Sequence, residues 1–331
     1  MGSGERFEKI AAEIERLGRK AYEIAKETVM KEKFEYEPLQ EAISYFMQEW
    51  RNFQHPALLA IACEAVGGKP EKTTLVGAAL VLLTGAADIH DDIIDKSKTK
   101  GSKLTLYGKF GEDLSIIVGN VLFIEGLTLL NTACSELPKE QGETVQKLVK
   151  RGLFELGAAE AEETSLKGNW NLKPECYLDI IRRKAAVAET AARVGAVIGC
   201  ANPEDVEQWA EIGRMLGMLM NIREEFLDIF KAEELQNRKN SECLPLPILY
   251  ALSNLKAKRK IMHLLKKKEL TDDDAMKMVA IVLETPDVQR LKIEMRKLIN
   301  IAEELLSKYK KCKNIKILKS LTTLALEICK S

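Results

Sequence analysis

The residues best suited to chemistry form two acidic clusters, each at the end of an apolar run. In the first cluster, Asp91 and Asp95 are four residues apart and share one face of a predicted helix, with Asp92 beside them. They end the apolar segment 76–87, where the negative end of a helix dipole disfavours further anions. Hard oxygen ligands of this kind suit Mg²⁺. We therefore predict a Mg²⁺ site at these three aspartates, with a solvated acidic helix end as the alternative.

The second cluster repeats this spacing after the apolar run 215–220. Glu224 and Asp228 share a predicted helix face, and Glu225 lies beside them. Two such clusters can hold metal between them when they face each other across a helical bundle. Metal bound to both would neutralise the charge of a departing diphosphate, which ionisation to an allylic cation requires. All three acids are therefore predicted metal ligands.

A phosphate group would have to bind to individual lysines, because the chain has no overall positive charge to attract it. Lys184 lies in an apolar segment, 180–198, and is the better candidate, whereas most lysines that follow the first cluster are expected on solvated surface. Lysine plus arginine and aspartate plus glutamate number 50 each, so the net charge is zero. No overall field attracts nucleic acid or an anionic membrane. We therefore expect no nucleic-acid partner.

The elements that must position these residues are helices. Strand signals are nearly absent, and helical periodicity continues from end to end without a linker or repeat. We predict one all-α domain over 1–331. The predicted helices are 5–30, 37–51, 55–66, 71–96, 110–134, 139–167, 174–199, 203–230, 246–264, 272–283, 287–309 and 313–329. Scattered cysteines, a charged N-terminus and no apolar run of about 20 residues predict a cytoplasmic protein that is not integral to a membrane.

The order of these motifs resembles that of the trans-isoprenyl diphosphate synthases, the polyprenyl synthetase family. Five parts of the chain, within about 50–255, carry the resemblance, and each resembles a different motif of the family. They are 90–97 with 105–113 (the family's first aspartate-rich region), 119–123 (the family's Gly-Asp-Tyr-Leu), 180–186 (its Lys-Thr segment), 221–228 (its second aspartate-rich motif) and 246–252 (its downstream helix). The chain is identified as a divergent member. The resemblance implies a large single-domain helical bundle of the isoprenoid synthase type.

The resemblance also implies roles for individual residues. Asp91 and Asp95 would hold two Mg²⁺ ions, and Glu224 would replace the aspartate that holds a third. Lys184 would contact the allylic diphosphate, so Asp91, Asp95 and Lys184 are the predicted catalytic residues. Asn221, at the start of the second motif, is a further substrate-binding candidate.

In this family the residues just before the first motif set product length. Here they are Ala86 and Ala87, with Leu83 one turn earlier. Such small residues would leave room for a medium to long chain. Alanines also serve close helix packing, so both interpretations stand.

The acceptor side departs from the family pattern. The Gly-Gly-Lys-Arg-x-Arg-Pro segment that binds isopentenyl diphosphate corresponds to residues 50–56, which keep the proline and lose the cations. Arg51 and His55 are partial replacements, although His55 also suits the start of a helix. Lys100 stands at the family's paired arginines, and Lys239 is a shifted substitute for a later lysine. Because each lost cation–phosphate contact removes about 1.5–3 kcal/mol, we predict a degenerate acceptor site.

Three functions remain open from the sequence. The first is a prenyl diphosphate synthase that condenses an allylic diphosphate with isopentenyl diphosphate. The second is a class I terpene cyclase or a prenyltransferase to another acceptor, and the third is a non-catalytic subunit of a heteromeric synthase. Each is expected to form a homodimer or a heteromer with a homologous subunit. The apolar helix 110–134 is the candidate interface, with burial inside the monomer as its alternative.

Overall fold

The computed structural model describes residues 3–101 and 103–327, and almost all of its regular structure is α-helical. The helices are α1 (Ser3–Lys31), α2 (Glu37–Glu49), α3 (Gln54–Ala65), α4 (Thr74–Ile94), α5 (Leu106–Phe110), α6 (Glu112–Ser135), α7 (Lys139–Leu166), α8 (Pro174–Lys184), α9 (Ala186–Ile198), α10 (Pro203–Asp228), α11 (Ala232–Ser241), α12 (Leu246–Leu252), α13 (Leu255–Leu265), α14 (Asp272–Glu284), α15 (Pro286–Ser307) and α16 (Ile315–Glu327). A 3-10 turn (Pro70–Thr73) precedes α4, and a short antiparallel hairpin joins β1 (Thr99–Lys100) to β2 (Lys103–Leu104). The predicted all-α class is confirmed.

Several predicted helices are broken where the local chemistry ends a helix. Gly111, with a φ of 80°, separates α6, which corresponds to the segment predicted as 110–134, from the short helix α5, which was not predicted. The segment predicted as 246–264 is divided into α12 and α13 at Asn254, which is the N-cap of α13 because its side chain accepts from two backbone N–H groups there. Helix α11 and the hairpin were not predicted, and the last two residues of the predicted helix 313–329 lie outside the described residues.

Contacts divide the chain into two compact units. The first unit comprises Met1–Gly152, Val187–Gly213 and Lys311–Ile317. In it α4 packs along α6, and α1 and α3 pack on α4. Helices α4 and α6 approach closely because glycines of α6 face α4: a Cβ on Gly119 would lie 2.4 Å from His90 Nε2, and one on Gly126 would lie 2.9 Å from Leu83.

The second unit comprises Leu153–Ala186, Arg214–Lys310 and Leu318–Ser331. Helix α12 lies at its centre and contacts α8, α13, α14 and α15. Its apolar core includes the fully buried rings of Tyr177 and Phe226. The prediction of a single domain over 1–331 stays a prediction.

Two helices are long and apolar enough to cross a membrane by composition, Pro70–Ile94 and Glu112–Ser135. In the first, 72% of the most apolar window is buried inside the protein, as in the core helix of a globular protein, and in the second only 39% is buried. Two such helices are weak grounds for a membrane span. The large apolar side chains that α6 exposes are Ile116, Ile117, Phe123, Ile124 and Leu127.

Candidate active site

The first acidic cluster occupies the last turn of α4. Asp95 is the C-cap, and its N–H donates to the carbonyl of Asp91 at 2.8 Å. Lys96 adopts a left-handed φ of 57°, and the N–H of Ser97 reaches back to the carbonyl of Asp92 at 2.8 Å. This pattern closes the helix and satisfies its last carbonyls. The side chains of Asp91 and Asp95 are half-buried one turn apart, and that of Asp92 is buried.

Lys100 of β1 is the cation of this cluster. Its Nζ lies 2.8 Å from Asp88 and 2.9 Å from Asp92, whose side chain is 6% exposed. Burial raises the pKa of Asp92 to about 7, and Lys100 opposes that rise. Burial lowers the pKa of Lys100, but Asp88 and Asp92 outweigh it and raise the pKa overall. Lys100 therefore stays charged and partly neutralises the acids.

The hairpin that carries Lys100 is anchored at several points. The hydroxyl of Thr105 donates to the carbonyl of Ser97 at 2.7 Å, and the hydroxyl of Tyr45 donates to the carbonyl of Leu104 at 2.8 Å. Lys103 also forms an ion pair with Glu49 of α2 at 2.7 Å. These contacts attach the hairpin to α2 and thereby direct Lys100 towards the end of α4.

A cavity of about 210 Å³ lies beside the first cluster. The rings of Tyr45, Phe46 and Trp50 line it, with Phe46 and Trp50 stacked at 5.1 Å over Gly85 of α4. Its charged lining residues are Glu49, Arg51, Asp88, Asp92, Lys100 and Lys103. The structure therefore brings two of the predicted substrate-binding residues, Arg51 and Lys100, to the first cluster.

His55 is held as a neutral residue at the start of α3. The side-chain oxygen of Asn52 accepts from the N–H groups of Gln54 and His55, so its amide nitrogen faces His55 Nδ1 at 2.7 Å. That nitrogen also donates to the hydroxyl of Thr84 at 3.0 Å. Nδ1 must therefore be an acceptor. Burial lowers the pKa of His55 to about 4, so this side chain supplies no positive charge at neutral pH.

The second acidic cluster, at the end of α10, is bound to an arginine of α11. Nη2 of Arg238 lies 2.6 Å from both carboxylate oxygens of Glu225. Glu225 also accepts the N–H of Leu246 at 2.7 Å, and the hydroxyl of Tyr177 lies 3.2 Å away. Burial raises the pKa of Asp228 to about 7, an effect that Arg238 opposes from 3.8 Å. Two acids of this cluster are thus oriented towards a protein cation.

The remaining predicted residues of the second cluster have separate surroundings. Glu224 is exposed and pairs with the neighbouring Arg223 at 2.7 Å. The side-chain nitrogen of Asn221 lies 3.5 Å from the carbonyl of Ile181. Nζ of Lys239 donates to the carbonyls of Lys267 and Lys268 at 2.7 and 3.2 Å, and these atoms belong to the turn that follows α13 and not to the acidic cluster.

Lys184 is bound to two carboxylates of α7. Its Nζ lies 2.6 Å from Glu163 and 3.0 Å from Glu160. Although burial opposes the shift, Lys184 and Arg238 lower the pKa of Glu163. Tyr177 donates to Glu163 at 2.8 Å and so joins Lys184 to the group around Arg238. A phosphate at Lys184 would have to compete with these two acids.

Sequence similarity extends over most of the chain. The profile described as polyprenyl synthetase matches residues 37–282. The chain belongs to the polyprenyl synthetase family. It is 28% identical over 225 residues to the geranylgeranyl diphosphate synthase of Sulfolobus acidocaldarius, a match that covers 68% of this chain and 65% of that protein. It is also 28% identical over 181 residues to a short chain isoprenyl diphosphate synthase of Methanothermobacter thermautotrophicus, covering 54% of each chain.

The fold is also that of solved members of this family. The crystal structure of geranylgeranyl pyrophosphate synthetase from Pyrococcus horikoshii matches with a TM-score of 0.77 at 22% identity, over 98% of this chain and 99% of that one. At this identity the likeness shows the fold alone. The sequence matches span 65% and 54% of the lengths of the two curated relatives.

Synthases of this family generally use Mg²⁺, and the two clusters differ in how well they fit that ion. Within residues 3–101 and 103–327, no three His, Cys, Asp or Glu side chains are already grouped as a metal site. In the first cluster Asp91 and Asp95 offer half-buried oxygen ligands one turn apart, which suits the few-carboxylate binding of Mg²⁺. In the second cluster Glu225 and Asp228 face Arg238, so the ligand set does not fit.

Sequence reasoning missed the residues that organise the second cluster. Arg238 lies next to the predicted Lys239, and Tyr177 and Glu163 carry no motif. The sequence signal that could have identified Arg238 is an arginine near the end of a polar segment that follows an acidic cluster. Without knowing that 232–241 is a helix, however, the direction of Arg238 could not be derived.

Proposed function

We propose that this chain is a Mg²⁺-dependent prenyl diphosphate synthase that condenses an allylic prenyl diphosphate with isopentenyl diphosphate. The observation that carries the proposal is the acidic end of α4 beside a cavity lined by aromatic rings, Arg51 and Lys100. Membership of the family supports the same reaction class. Asp91 and Asp95 would hold Mg²⁺, which would neutralise the charge of the leaving diphosphate.

The chain's own residues would shape the rest of that site. The rings of Tyr45, Phe46 and Trp50 form an apolar wall that excludes water from the reacting carbon. Arg51, Lys100 and Lys103 are the cations that line this cavity and could contact a diphosphate bound there.

On product length we keep the medium to long chain expectation. Ala86 is buried and Ala87 half-buried, and both are small. One turn before these alanines, the larger side chain of Leu83 is buried against Gly126 of α6 and leaves less room for a prenyl chain.

The acceptor site is proposed to be weak. The family's cationic segment is represented here by Arg51, because His55 is neutral at neutral pH. A loss of two charge-assisted hydrogen bonds removes roughly 3–6 kcal/mol, or about two to four orders of magnitude in affinity. The KM for isopentenyl diphosphate is therefore expected to be high.

The test is product analysis of the purified protein with Mg²⁺ and farnesyl or geranylgeranyl diphosphate, with and without labelled isopentenyl diphosphate. Longer prenyl diphosphates that require isopentenyl diphosphate support the proposal. The variant Asp91→Asn is expected to abolish them, whereas Asp272→Asn, at an exposed aspartate in the first turn of α14, is expected to leave them unchanged. A hydrocarbon formed without isopentenyl diphosphate would instead indicate a cyclase.

A second candidate, a non-catalytic subunit of a heteromeric synthase, is favoured by one observation. Lys184, the predicted diphosphate ligand, is bound to both Glu160 and Glu163. No turnover alone, together with turnover on mixing with an active homologous subunit, would select this candidate.

The exposed apolar side chains of α6 support the proposal that the chain pairs with a second copy or a homologous subunit through this helix. Neither candidate needs a membrane span, and we propose that the protein is cytoplasmic.

A further inference from the structure

The unusual feature of the second acidic cluster is a buried arginine. The side chain of Arg238 is only 11% exposed and lies among several carboxylates. Nη2 bonds Glu225 and lies 2.9 Å from the hydroxyl of Tyr177, while Nη1 donates to Glu242 at 2.9 Å. Burial lowers the pKa of this guanidinium, but Glu225 and the other acids outweigh it and raise the pKa well above its usual range. Arg238 is therefore a permanent positive charge inside this group of acids.

Both oxygens of Glu225 are already engaged by donors of the protein. Nη2 of Arg238 lies 2.6 Å from each oxygen, and the N–H of Leu246 donates to Oε2 at 2.7 Å. A metal ion bound to these oxygens would lie next to the guanidinium, so Arg238 would have to be displaced from its buried partners. Leaving a buried charge unpaired is strongly destabilising.

Asp228 faces the same cation from the other side. Nε of Arg238 is buried and has no hydrogen-bond partner, and the carboxylate of Asp228 lies 3.8 Å from it. A small movement of Asp228 would complete that bond. Asp228, 28% exposed, is thus positioned beside Arg238, whereas Glu224, 59% exposed, is the acid of this cluster that faces solvent most openly.

We infer that Arg238 is the resident cation of the second acidic cluster and takes the place that a metal ion would have there. Glu225 and Asp228 then serve to hold Arg238, which joins α8, α10 and the segment that leads into α12. Metal binding by this chain depends on the first cluster. The inference rests on the proposed function only in assuming that the chain binds metal with a diphosphate.

The probe is Mn²⁺ with inorganic pyrophosphate, and the readout is the number of bound Mn²⁺ ions from electron paramagnetic resonance titration. The double variant Glu224→Gln/Asp228→Asn is expected to bind as many Mn²⁺ ions as the unaltered protein, with affinity changed less than about threefold. The matched variant Asp91→Asn is expected to lose most of the binding. One Mn²⁺ ion fewer in the double variant would overturn the inference.

A gain-of-binding variant provides an independent test. Arg238→Gln removes the charge and keeps hydrogen-bonding capacity, so it is expected to bind an additional Mn²⁺ ion, or to bind the last one at least about tenfold more tightly. Adding Asp228→Asn is expected to remove this gain. If Arg238→Gln fails to fold by circular dichroism, the double variant above decides alone.

Failure of the proposed function has a different signature. Absence of prenyl transfer with the expected Mn²⁺ counts would refute the synthase and leave the role of Arg238 intact. Prenyl transfer that is lost in Asp228→Asn together with one Mn²⁺ ion would refute the role of Arg238 and leave the synthase intact.

Discussion

Replacement of Lys100 by methionine tests whether a protein cation stabilises the first acidic cluster. Its Nζ lies 2.8 Å from Asp88 and 2.9 Å from Asp92. Breaking a fully buried ion pair costs about 3–5 kcal/mol, because an unpaired charge is left inside. The side chain of Lys100 is 50% exposed, so solvent screening reduces the expected loss in unfolding free energy to about 1–3 kcal/mol.

The same hairpin supplies the control. Lys103 pairs with Glu49 at 2.7 Å, but both side chains are largely exposed, so Lys103→Met is expected to cost less than about 1 kcal/mol. Urea denaturation at pH 7 and low ionic strength measures both variants. A double-mutant cycle with Asp92→Asn should give a coupling of about 1–2 kcal/mol for Lys100. Equal losses in the two lysine variants, together with no coupling, would refute the reasoning.

Metal addition extends this test. If Lys100 competes with Mg²⁺ for the carboxylates at the end of α4, Lys100→Met removes the competitor and Mg²⁺ binds the folded state more tightly. Mg²⁺ should then raise the unfolding free energy of Lys100→Met more than that of the unaltered protein, since stabilisation follows RT ln(1 + [L]/Kd). An equal rise in both would mean that Lys100 and the ion do not share ligands.

Three further predictions follow from single positions. Burial lowers the pKa of His55 to about 4, from about 6.5 in the unfolded chain. The contribution of His55 to stability is therefore complete above pH 6.5 and falls by about 1–3 kcal/mol as the pH drops to 4. His55→Gln should remove this pH dependence of the unfolding free energy in denaturation experiments, whereas His263→Gln on the surface should not. Gly126→Ala should cost about 1–3 kcal/mol against α4, whereas Gly157→Ala, with nothing within 4 Å, should be neutral or stabilising in thermal melts. Ile124→Lys should shift a dimer to monomer in analytical ultracentrifugation, because Ile124 is 64% exposed on α6.

The helices were largely predictable because apolar periodicity and capping residues are local signals. The predicted segment 139–167 appears as Lys139–Leu166, and 272–283 as Asp272–Glu284 with a capping box at Thr271. Helix α11 escaped prediction because its sequence is polar and only Leu235 and Arg238 are buried along it. A helix with so few buried positions has no periodic apolar stripe to recognise.

The acids of the candidate site were predictable, whereas their cationic partners were not. Spacing of four residues places carboxylates on one helix face whatever the tertiary structure. A partner from elsewhere depends on which way a later residue points. Consecutive residues on a helix differ in direction by about 100°, so Arg238 faces Glu225 while Lys239 faces the carbonyls of the turn after α13. The role of Lys239 as a phosphate ligand stays a prediction.

Although the net charge of this chain is zero, each of its two acidic clusters is paired with a protein cation, and the two pairings differ in kind. Lys100 follows Asp92 by eight residues and Arg238 follows Asp228 by ten, so each acidic cluster meets a cation from the segment just after it. Lys100 is half exposed on a hairpin, and a divalent ion that displaced it would return it to water at little cost. Arg238 is buried among Glu225, Tyr177 and Glu242, and displacing it would leave a buried charge unpaired. We therefore expect a divalent ion to displace Lys100 at the first cluster but not Arg238 at the second.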